Sequence, residues 1–272
     1  MIRTLLATTL VLLSGVAHAA DTYSEGGEEG GLLSGSWSVT LGASGYFAPE
    51  YEGADKMVFR AVPLVSVGRT GTVTKFSSRN DNISIGLIDN GTFRAGLAGK
   101  ILFGRDDDDS DDLKGLDPVR WGGELGIFAE VYPTDWMRIR GELRHGIRTH
   151  DAFVGDLAAD VFYDLTPTIR LSAGPRASFA SENYFDTYYG VNAAESAASG
   201  LSVFDPNDGG LKSYGFGGAV TWQATDKITT SLFGEYARLE GEAADSSLVK
   251  ERGSVDQFTI GLSATYRFDF TF

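Results

Sequence analysis

The sequence predicts an all-β protein, a transmembrane antiparallel up-and-down β-barrel of about twelve strands, with ten strands as the alternative. Residues 257–272 alternate without exception: the even positions from Phe258 to Phe272 are apolar, and the odd positions are polar or glycine. Several other segments alternate in the same way. Along the chain, short connections between these segments alternate with long ones. Because successive side chains of a strand point to opposite faces, this pattern predicts one face toward lipid and one toward a polar lumen.

The chain start predicts export. Arg3 is followed by an apolar stretch, residues 5–16, and by Ala17-His18-Ala19, which together predict a signal peptide over residues 1–19, cleaved after Ala19. No later stretch approaches the ~20 continuous apolar residues of a spanning helix. The sequence has no cysteine, so it has no disulfide framework. The expected location is the cell outer membrane of a Gram-negative bacterium.

The composition is acidic. Without residues 1–19, 22 basic residues face 37 acidic ones, a net charge of −15. Such a charge repels phosphates and argues against a nucleic-acid partner. The 35 glycines and 11 tyrosines suit a barrel, since glycine eases strand bending and tyrosine favours the lipid–water interface.

Three regions are expected: the signal peptide, a Gly/Glu-rich flexible periplasmic tail over residues 20–35, and the barrel over residues 36–272. The predicted strands cover 36–48, 57–69, 72–79, 82–88, 92–104, 120–132, 136–149, 153–165, 168–180, 212–224, 227–239 and 256–272. If 72–88 is not a hairpin, ten strands remain. An even number places the last strand beside the first and closes the sheet.

The connections predict an orientation. With both termini in the periplasm, the periplasmic connections are tight turns, at 69–71, 89–91, 133–135, 166–167 and 225–226. The outward connections include all the long loops, at 49–56, 105–119, 181–211 and 240–255. Short turns at one end and long loops at the other are typical of outer-membrane barrels.

If the apolar face of each strand points outward, the charged side chains on the opposite face point into the lumen. Acidic and basic strands then alternate, so opposite charges can pair across the sheet. We expect a lumen charge network that comprises Glu124, Glu130, Arg138, Arg140, Glu142, Arg144, Arg148, Asp156, Asp160, Arg170 and Arg176, with Asp164 also pointing inward. Because the charges are balanced, a packed polar core is favoured over a charged constriction that selects solutes.

Two long loops are candidate binding segments. Six carboxylates, Asp106, Asp107, Asp108, Asp109, Asp111 and Asp112, could hold Ca²⁺, but they lack the spacing of a calcium hand, so a solvated acidic loop is favoured. Residues 181–211 contain Tyr184, Phe185, Tyr188 and Tyr189 and then a helix-favouring stretch, 192–198. This loop either folds over or into the barrel mouth or lies exposed with interfacial tyrosines.

No catalytic, cofactor or metal site is predicted. The expected mature chain retains two histidines, His145 and His150, and parity places His145 on the lipid-facing side of its strand. No Gly-x-Ser-x-Gly pattern or metal-ligand spacing accompanies them.

Several stretches resemble the MipA/OmpV family of outer-membrane proteins. They are Pro49-Glu-Tyr-Glu-Gly-Ala-Asp55, Arg60-Ala-Val-Pro63, Glu182-Asn-Tyr-Phe-Asp-Thr-Tyr-Tyr-Gly-Val191, Gly209-Gly-Leu-Lys-Ser-Tyr214, and Tyr236-Ala-Arg-Leu-Glu-Gly-Glu-Ala-Ala-Asp-Ser-Ser-Leu-Val249, with the Tyr-x-Phe ending at 266–268. Ser247 departs from the family pattern, where proline is expected.

The resemblance implies an outer-membrane barrel that is a non-enzymatic scaffold for a murein-degrading lytic transglycosylase and a murein synthase. Other members are described as porin-like, adhesive or antigenic, so a small-solute channel and a surface adhesin remain alternatives. The other expected partners are outer-membrane lipid, lipopolysaccharide and the barrel-assembly machinery.

The aromatic chain end predicts an assembly signal formed by Tyr266, Phe268, Phe270 and Phe272. A C-terminal aromatic residue is the usual mark read by the barrel-assembly machinery. Deletion of Phe272 should therefore lower the amount of inserted protein more than it alters any activity of the protein that does insert. Quantitative immunoblots of outer-membrane fractions test this, and normal levels of the deletion variant would refute it.

Overall fold

The computed structural model describes residues 36–69 and 75–271. The expected signal peptide, the tail over 20–35, Phe272 and residues 70–74 lie outside the described residues. The described chain forms eleven antiparallel strands: β1 (Ser36–Pro49), β2 (Met57–Arg69), β3 (Ile83–Asp89), β4 (Phe93–Leu102), β5 (Gly122–Thr134), β6 (Met137–Ile147), β7 (Phe153–Thr166), β8 (Ile169–Ala180), β9 (Gly210–Gln223), β10 (Ile228–Leu239) and β11 (Asp256–Thr271).

All eleven strands belong to one sheet in the order β2-β1-β11-β10-β9-β8-β7-β6-β5-β4-β3. The last strand pairs with the first as predicted, with Ala43 opposite Ala264. The edges of the described sheet are β2 and β3, and the alternating directions make these two strands run the same way. The described residues therefore form eleven strands where twelve or ten were expected, and β2 and β3 are not paired with each other in the described sheet.

The two faces of the sheet differ as the alternation predicts. Large apolar side chains on the outer face are exposed, as in Leu125, Tyr163 and Leu262, each more than 60% exposed. The neighbouring inward residues are buried and charged, for example Glu124 at 2%. An apolar exterior around a charged interior fits a wall that faces lipid, and this is a transmembrane β-barrel fold. No helix of the described residues is long and apolar enough to cross a membrane.

Residues 75–82, here called the inner segment, correct the prediction of a third strand over 72–79. Residues 75–79 do alternate between exposed and buried, with Phe76 and Ser78 buried. However, they form no strand and lie inside the lumen, so both of their faces contact lumenal side chains. Residues 72–74 lie outside the described part of the chain.

The inner segment contacts strands on opposite sides of the lumen. The Phe76 ring stacks on Phe162 of β7, with 4.7 Å between the ring centroids, and both rings cluster with Tyr132 of β5. Asp81 accepts two hydrogen bonds from Arg138 of β6, at 2.6 and 2.8 Å. Asn80 donates to Glu235 of β10. One segment can reach both β6 and β10 only because the sheet curls around it.

The two ends of the wall differ. At the short-turn end, connections such as 135–136 and 167–168 are tight, whereas the loop end carries four short helices and a 3₁₀ turn, Asp111–Leu113. The helices are α1 (Glu182–Tyr189), α2 (Ala193–Ser199), α3 (Gly241–Asp245) and α4 (Ser247–Arg252). They form a lid over the loop end, since Phe185 and Tyr189 of α1 are fully buried against Leu239, Ala243 and Val249. Of the two alternatives for residues 181–211, folding over the mouth is therefore the observed one.

The Asp81–Arg138 pair supports a stability prediction. Asp81→Asn removes one charged partner of a buried guanidinium, which typically costs about 3 kcal/mol of unfolding free energy. The matched change Asp135→Asn alters a carboxylate at the short-turn end whose side chain is 98% exposed, and should cost less than about 0.5 kcal/mol. Urea unfolding of both refolded variants in micelles, followed by tryptophan fluorescence, measures the difference. Equal midpoints for the two variants would contradict the prediction.

Candidate functional site in the lumen

The charge network runs across β5, β6, β7 and β8. Its centre is Arg138, whose side chain is 1% exposed. Its Nη2 lies 2.7 Å from Asp160 Oδ2, its Nη1 lies 2.6 Å from Asp81 Oδ2, and Glu130 Oε2 is 3.4 Å away. Three carboxylates from three separate elements thus surround one buried guanidinium, so its charge is fully compensated without water.

A second centre forms nearer the loop end around Arg144, whose side chain is fully buried. Its Nε lies 2.8 Å from Glu124 Oε2 and its Nη2 lies 2.6 Å from Asp156 Oδ2, while Nη1 contacts Glu142. Glu142 also contacts Arg140, which reaches Glu130 at 2.8 Å. The two centres are therefore continuous through Arg140 and its two acidic neighbours.

Two further arginines of the predicted network, Arg176 and Arg170, lie on β8. Arg176 contacts Asp160 and donates to Ser78 of the inner segment at 3.2 Å. Arg170 makes a bidentate pair with Asp164, at 2.6 and 2.9 Å, nearer the short-turn end.

Arg148 is the predicted network residue that lies elsewhere. It follows the last residue of β6 and has a left-handed backbone with a φ of 75°, so strand parity no longer sets its direction. Its guanidinium lies 4.0 Å from the Trp121 ring centroid, and it lines an outer pocket of about 620 Å³ at the loop end.

Sequence reasoning missed four contributors to the lumen. Arg94 of β4 pairs with Glu130 at 2.6 Å, and Lys100 of the same strand lines an inner cavity. Both occupy inward-facing positions of β4, so the alternation that identified the other residues could have identified them as well. Asp81 was missed because it falls in the connection between the predicted wall strands 72–79 and 82–88, and His150 because it lies in a connection as well, just after the predicted strand 136–149.

His150 connects the network with the lid. Its ring is 4% exposed, and its Nε2 lies 3.3 Å from Glu124 Oε1. The same ring contacts Tyr184 and Tyr188 of α1 edge-on, with centroid distances of 5.1 and 5.8 Å. The lid therefore rests on a side chain that the network itself holds.

The lid is fastened by a polar contact as well. Tyr184 donates to Glu52 Oε2 at 2.8 Å, and Lys212 Nζ lies 2.5 Å from Glu52 Oε1. Burial raises the pKa of the Glu52 carboxyl, but the Lys212 ammonium and the hydrogen bonds from Lys212 and Tyr184 outweigh it and hold that pKa below its usual value. Burial, and then the Glu52 carboxylate, raise the pKa of Tyr184 well above its usual value, so Tyr184 remains a donor.

Two cavities lie inside the wall. The upper cavity, of about 240 Å³, is bounded by Glu52 and Lys212 beneath the lid. The lower cavity, of about 330 Å³, extends toward the short-turn end, where Thr229 and Thr265 line it. Asn80, Arg176 and Glu235 line both cavities. The inner segment and these side chains therefore form the partition between them.

The acidic loop shows no metal geometry. Among the described residues, no group of three or more His, Cys, Asp or Glu side chains is placed to hold a metal ion. Asp106 and Asp109 accept backbone hydrogen bonds within their own turn, at 3.1 Å each. Asp111 pairs with Lys114 and Asp112 with Lys56, while Asp107 and Asp108 are exposed.

The histidines are bound to acids. His145 lies on the outer side of β6, with its Nε2 3.2 Å from Asp151 and its ring edge-on to Phe153. Within the described ranges, neither histidine is hydrogen-bonded to a serine or threonine hydroxyl.

Three residues of the predicted assembly signal lie on the outer face near the end of β11, and the fourth, Phe272, lies outside the described residues. Tyr266, Phe268 and Phe270 are all roughly 40% exposed, and Tyr266 contacts Phe268 with 4.6 Å between ring centroids.

The chain was compared with known proteins. The sequence profile of the family described as MltA-interacting protein MipA matches residues 41–268. No curated protein matches the sequence.

Solved structures show general likeness. OprB of Pseudomonas putida is 13% identical, with a TM-score of 0.38, over 67% of this chain and 46% of its own, so the chain spans less than half of OprB. The CymD monoaromatic hydrocarbon channel is 9% identical, with a TM-score of 0.38, over 88% and 90% of the two chains. The outer membrane protein OprG of Pseudomonas aeruginosa is 11% identical, with a TM-score of 0.28, over 86% and 96%. At these scores no function is carried over from them.

The Glu52 contact supports a pH prediction. Since the folded-state pKa of Glu52 is lowered, its contribution to lid closure is complete above the usual value of about 4.5 and is lost as the pH falls through the lowered value. A spin label at Asp186→Cys, in a chain without other cysteines, should stay immobile at pH 7 and gain mobility only below about pH 4.5.

Two variants test whether Glu52 causes this change in the mobility of the label. Glu52→Gln should raise the mobility of the label already at pH 7 and flatten the transition. Glu182→Gln, an exposed change on the same helix, should keep the original transition. An identical pH profile for Glu52→Gln and the unmodified chain would show that Glu52 does not fasten the lid.

Proposed function

The chain belongs to the MltA-interacting protein MipA family, and we propose that it is an outer-membrane β-barrel acting as a non-enzymatic scaffold for murein enzymes. In this role it binds a lytic transglycosylase, and with it a murein synthase, at the periplasmic face. The barrel supplies the membrane anchor, and the partners supply the chemistry on peptidoglycan.

The observation that carries the proposal is the obstruction of the lumen at two levels. The lid covers the loop end, held by Glu52, Lys212 and Tyr184. The inner segment crosses the interior, held by Arg138 and by the Phe76–Phe162 stack. A scaffold does not need an open passage, and paired buried charges such as those around Arg138 rigidify a structure. These features favour a binding role over a permanently open pore.

The short-turn end is the proposed partner surface. With long loops outward, this end faces the periplasm, where murein lies. Its turns carry Asp135 and Asp226, and the adjacent Trp136 is 54% exposed. Specific interfaces bury about 800 Å² on each partner, more than short turns supply alone. We therefore include the expected tail, residues 20–35, in the binding surface.

A gated channel for small solutes is the second candidate. It is favoured by the arrangement of the two cavities, which lie one above the other and share lining residues at the partition. Displacement of the inner segment and opening of the lid would join them into one path.

Binding to purified partners tests the scaffold. Full-length barrel in detergent should retain a lytic transglycosylase, and deletion of residues 20–35 should weaken retention. Trp136→Ala should also weaken binding, because large aromatic side chains are common anchors of interfaces. The matched change Trp121→Ala, at the loop end and 59% exposed, should leave binding unchanged. If the full-length protein retains neither murein enzyme, the scaffold proposal fails.

Planar-bilayer recording tests the channel. The unmodified barrel should be electrically silent, whereas replacement of residues 75–82 by a Gly/Ser segment of equal length should produce conductance steps. Regular steps from the unmodified protein would favour the channel over the scaffold.

A further inference from the structure

The lower cavity has the features of a small-molecule site. Its volume, about 330 Å³, lies at the lower end of the range of ligand pockets, roughly 300–1,000 Å³. It lies between the inner segment and the strands from β8 to β2, and it borders the charge network at Asp160, Arg170 and Arg176. Its lining combines apolar side chains, small residues and a few charged groups, which is the usual make-up of ligand pockets.

Most of the charges around this cavity are already compensated. Arg170 is held by both carboxylate oxygens of Asp164. Arg176 contacts Asp160. These two arginines therefore shape the cavity and leave little of their charge for a ligand. The Glu235 carboxylate keeps its negative charge, because its hydrogen-bond donor is the neutral amide of Asn80.

Arg79 is the cation of this lining that has no ion pair among the described residues. Its guanidinium carbon lies 4.6 Å from the Tyr46 ring centroid and 4.1 Å from that of Phe233. Among residues 36–69 and 75–271, no carboxylate forms an ion pair with it. Two aromatic rings thus fix the cation in the lumen, and the Glu235 carboxylate attracts it without forming an ion pair. A guanidinium held in this way presents a planar fork that fits a carboxylate.

The walls beside Arg79 are apolar. Val62 and Leu64 point inward from β2, and Phe76 and Phe233 lie on the other sides. The floor on β8 and β9 is formed by small residues, including Ala173, Gly217 and Ala219. The small residues leave the space open, and the larger ones supply contact surface for a hydrocarbon or aromatic body.

We propose that the lower cavity binds a small amphiphilic monocarboxylate, with its carboxylate on Arg79 and its apolar body against Val62, Leu64, Phe76 and Phe233. Arg79 is open to one carboxylate, since no ion pair occupies it among the described residues. A dianion would place a second negative charge in a cavity that Glu235 also lines, and a neutral apolar molecule would leave the guanidinium without an ion-pair partner. The cavity extends to Thr229 and Thr265 near the short-turn end. This proposal is independent of the scaffold role.

Calorimetric titration of the purified full-length barrel in detergent tests the site with phenylacetate, phenylacetamide and phenyl phosphate. Phenylacetate should bind saturably and at least about tenfold more tightly than the neutral amide, a difference of about 1.4 kcal/mol. Phenyl phosphate should bind more weakly than phenylacetate. Absence of saturable phenylacetate binding, or equal affinity for acid and amide, would overturn the proposal.

Variants assign the binding to Arg79. Arg79→Gln should abolish the preference for acid over amide, and Arg79→Lys should keep part of it. Arg267→Gln is the control, because this arginine at the same end of the barrel pairs with Asp269 at 3.2 Å and does not line the cavity. If Arg79→Gln does not fold, Ala219→Phe provides the second test, since it fills the cavity and should remove phenylacetate binding. Retention of the acid preference in a folded Arg79→Gln, or unchanged binding in Ala219→Phe, would also overturn the proposal.

Discussion

The interior of this barrel depends on the compensation of Arg138. A guanidinium at 1% exposure is tolerated only when carboxylates surround it, because an unpaired charge in a low-dielectric interior costs several kcal/mol. Its partners come from β5, from β7 and from the inner segment. One electrostatic requirement therefore ties β5 and β7 to β6 and also keeps the inner segment, residues 75–82, inside the lumen.

The same network of paired charges also supports the lid. Arg144 fixes Glu124, Glu124 contacts His150, and His150 supports the aromatic rings of α1. Phe185 and Tyr189 add apolar packing against Leu239, Ala243 and Val249 to this support. Because the lid rests on the network, the two obstructions of the lumen are mechanically connected.

The lumen is asymmetric, and this asymmetry separates two roles. The half formed by β4 to β8 is filled with paired charges and acts as a rigid core. The other half, from β9 through β11 and β1 to β2, has small and apolar inward residues such as Ala219 and Val62, and the lower cavity lies there. The half with paired charges supports a scaffold role, while a small ligand has space only in the half that contains the lower cavity.

The sequence by itself determined the two faces of the wall, the pairing of the last strand with the first, the sorting of short turns and long loops, and most of the lumenal charges. These features follow from the period of two along a strand, which is a local property. Only the tertiary structure decided that residues 75–82 leave the wall, that Arg148 turns away from the network, and that residues 181–211 cover the mouth. The alternation of Lys75 to Arg79 fits a wall strand and a lumenal segment equally well. The choice between them depends on the contacts of Asp81 with Arg138 and of Phe76 with Phe162. These residues are distant in the chain, so local periodicity does not encode their contacts.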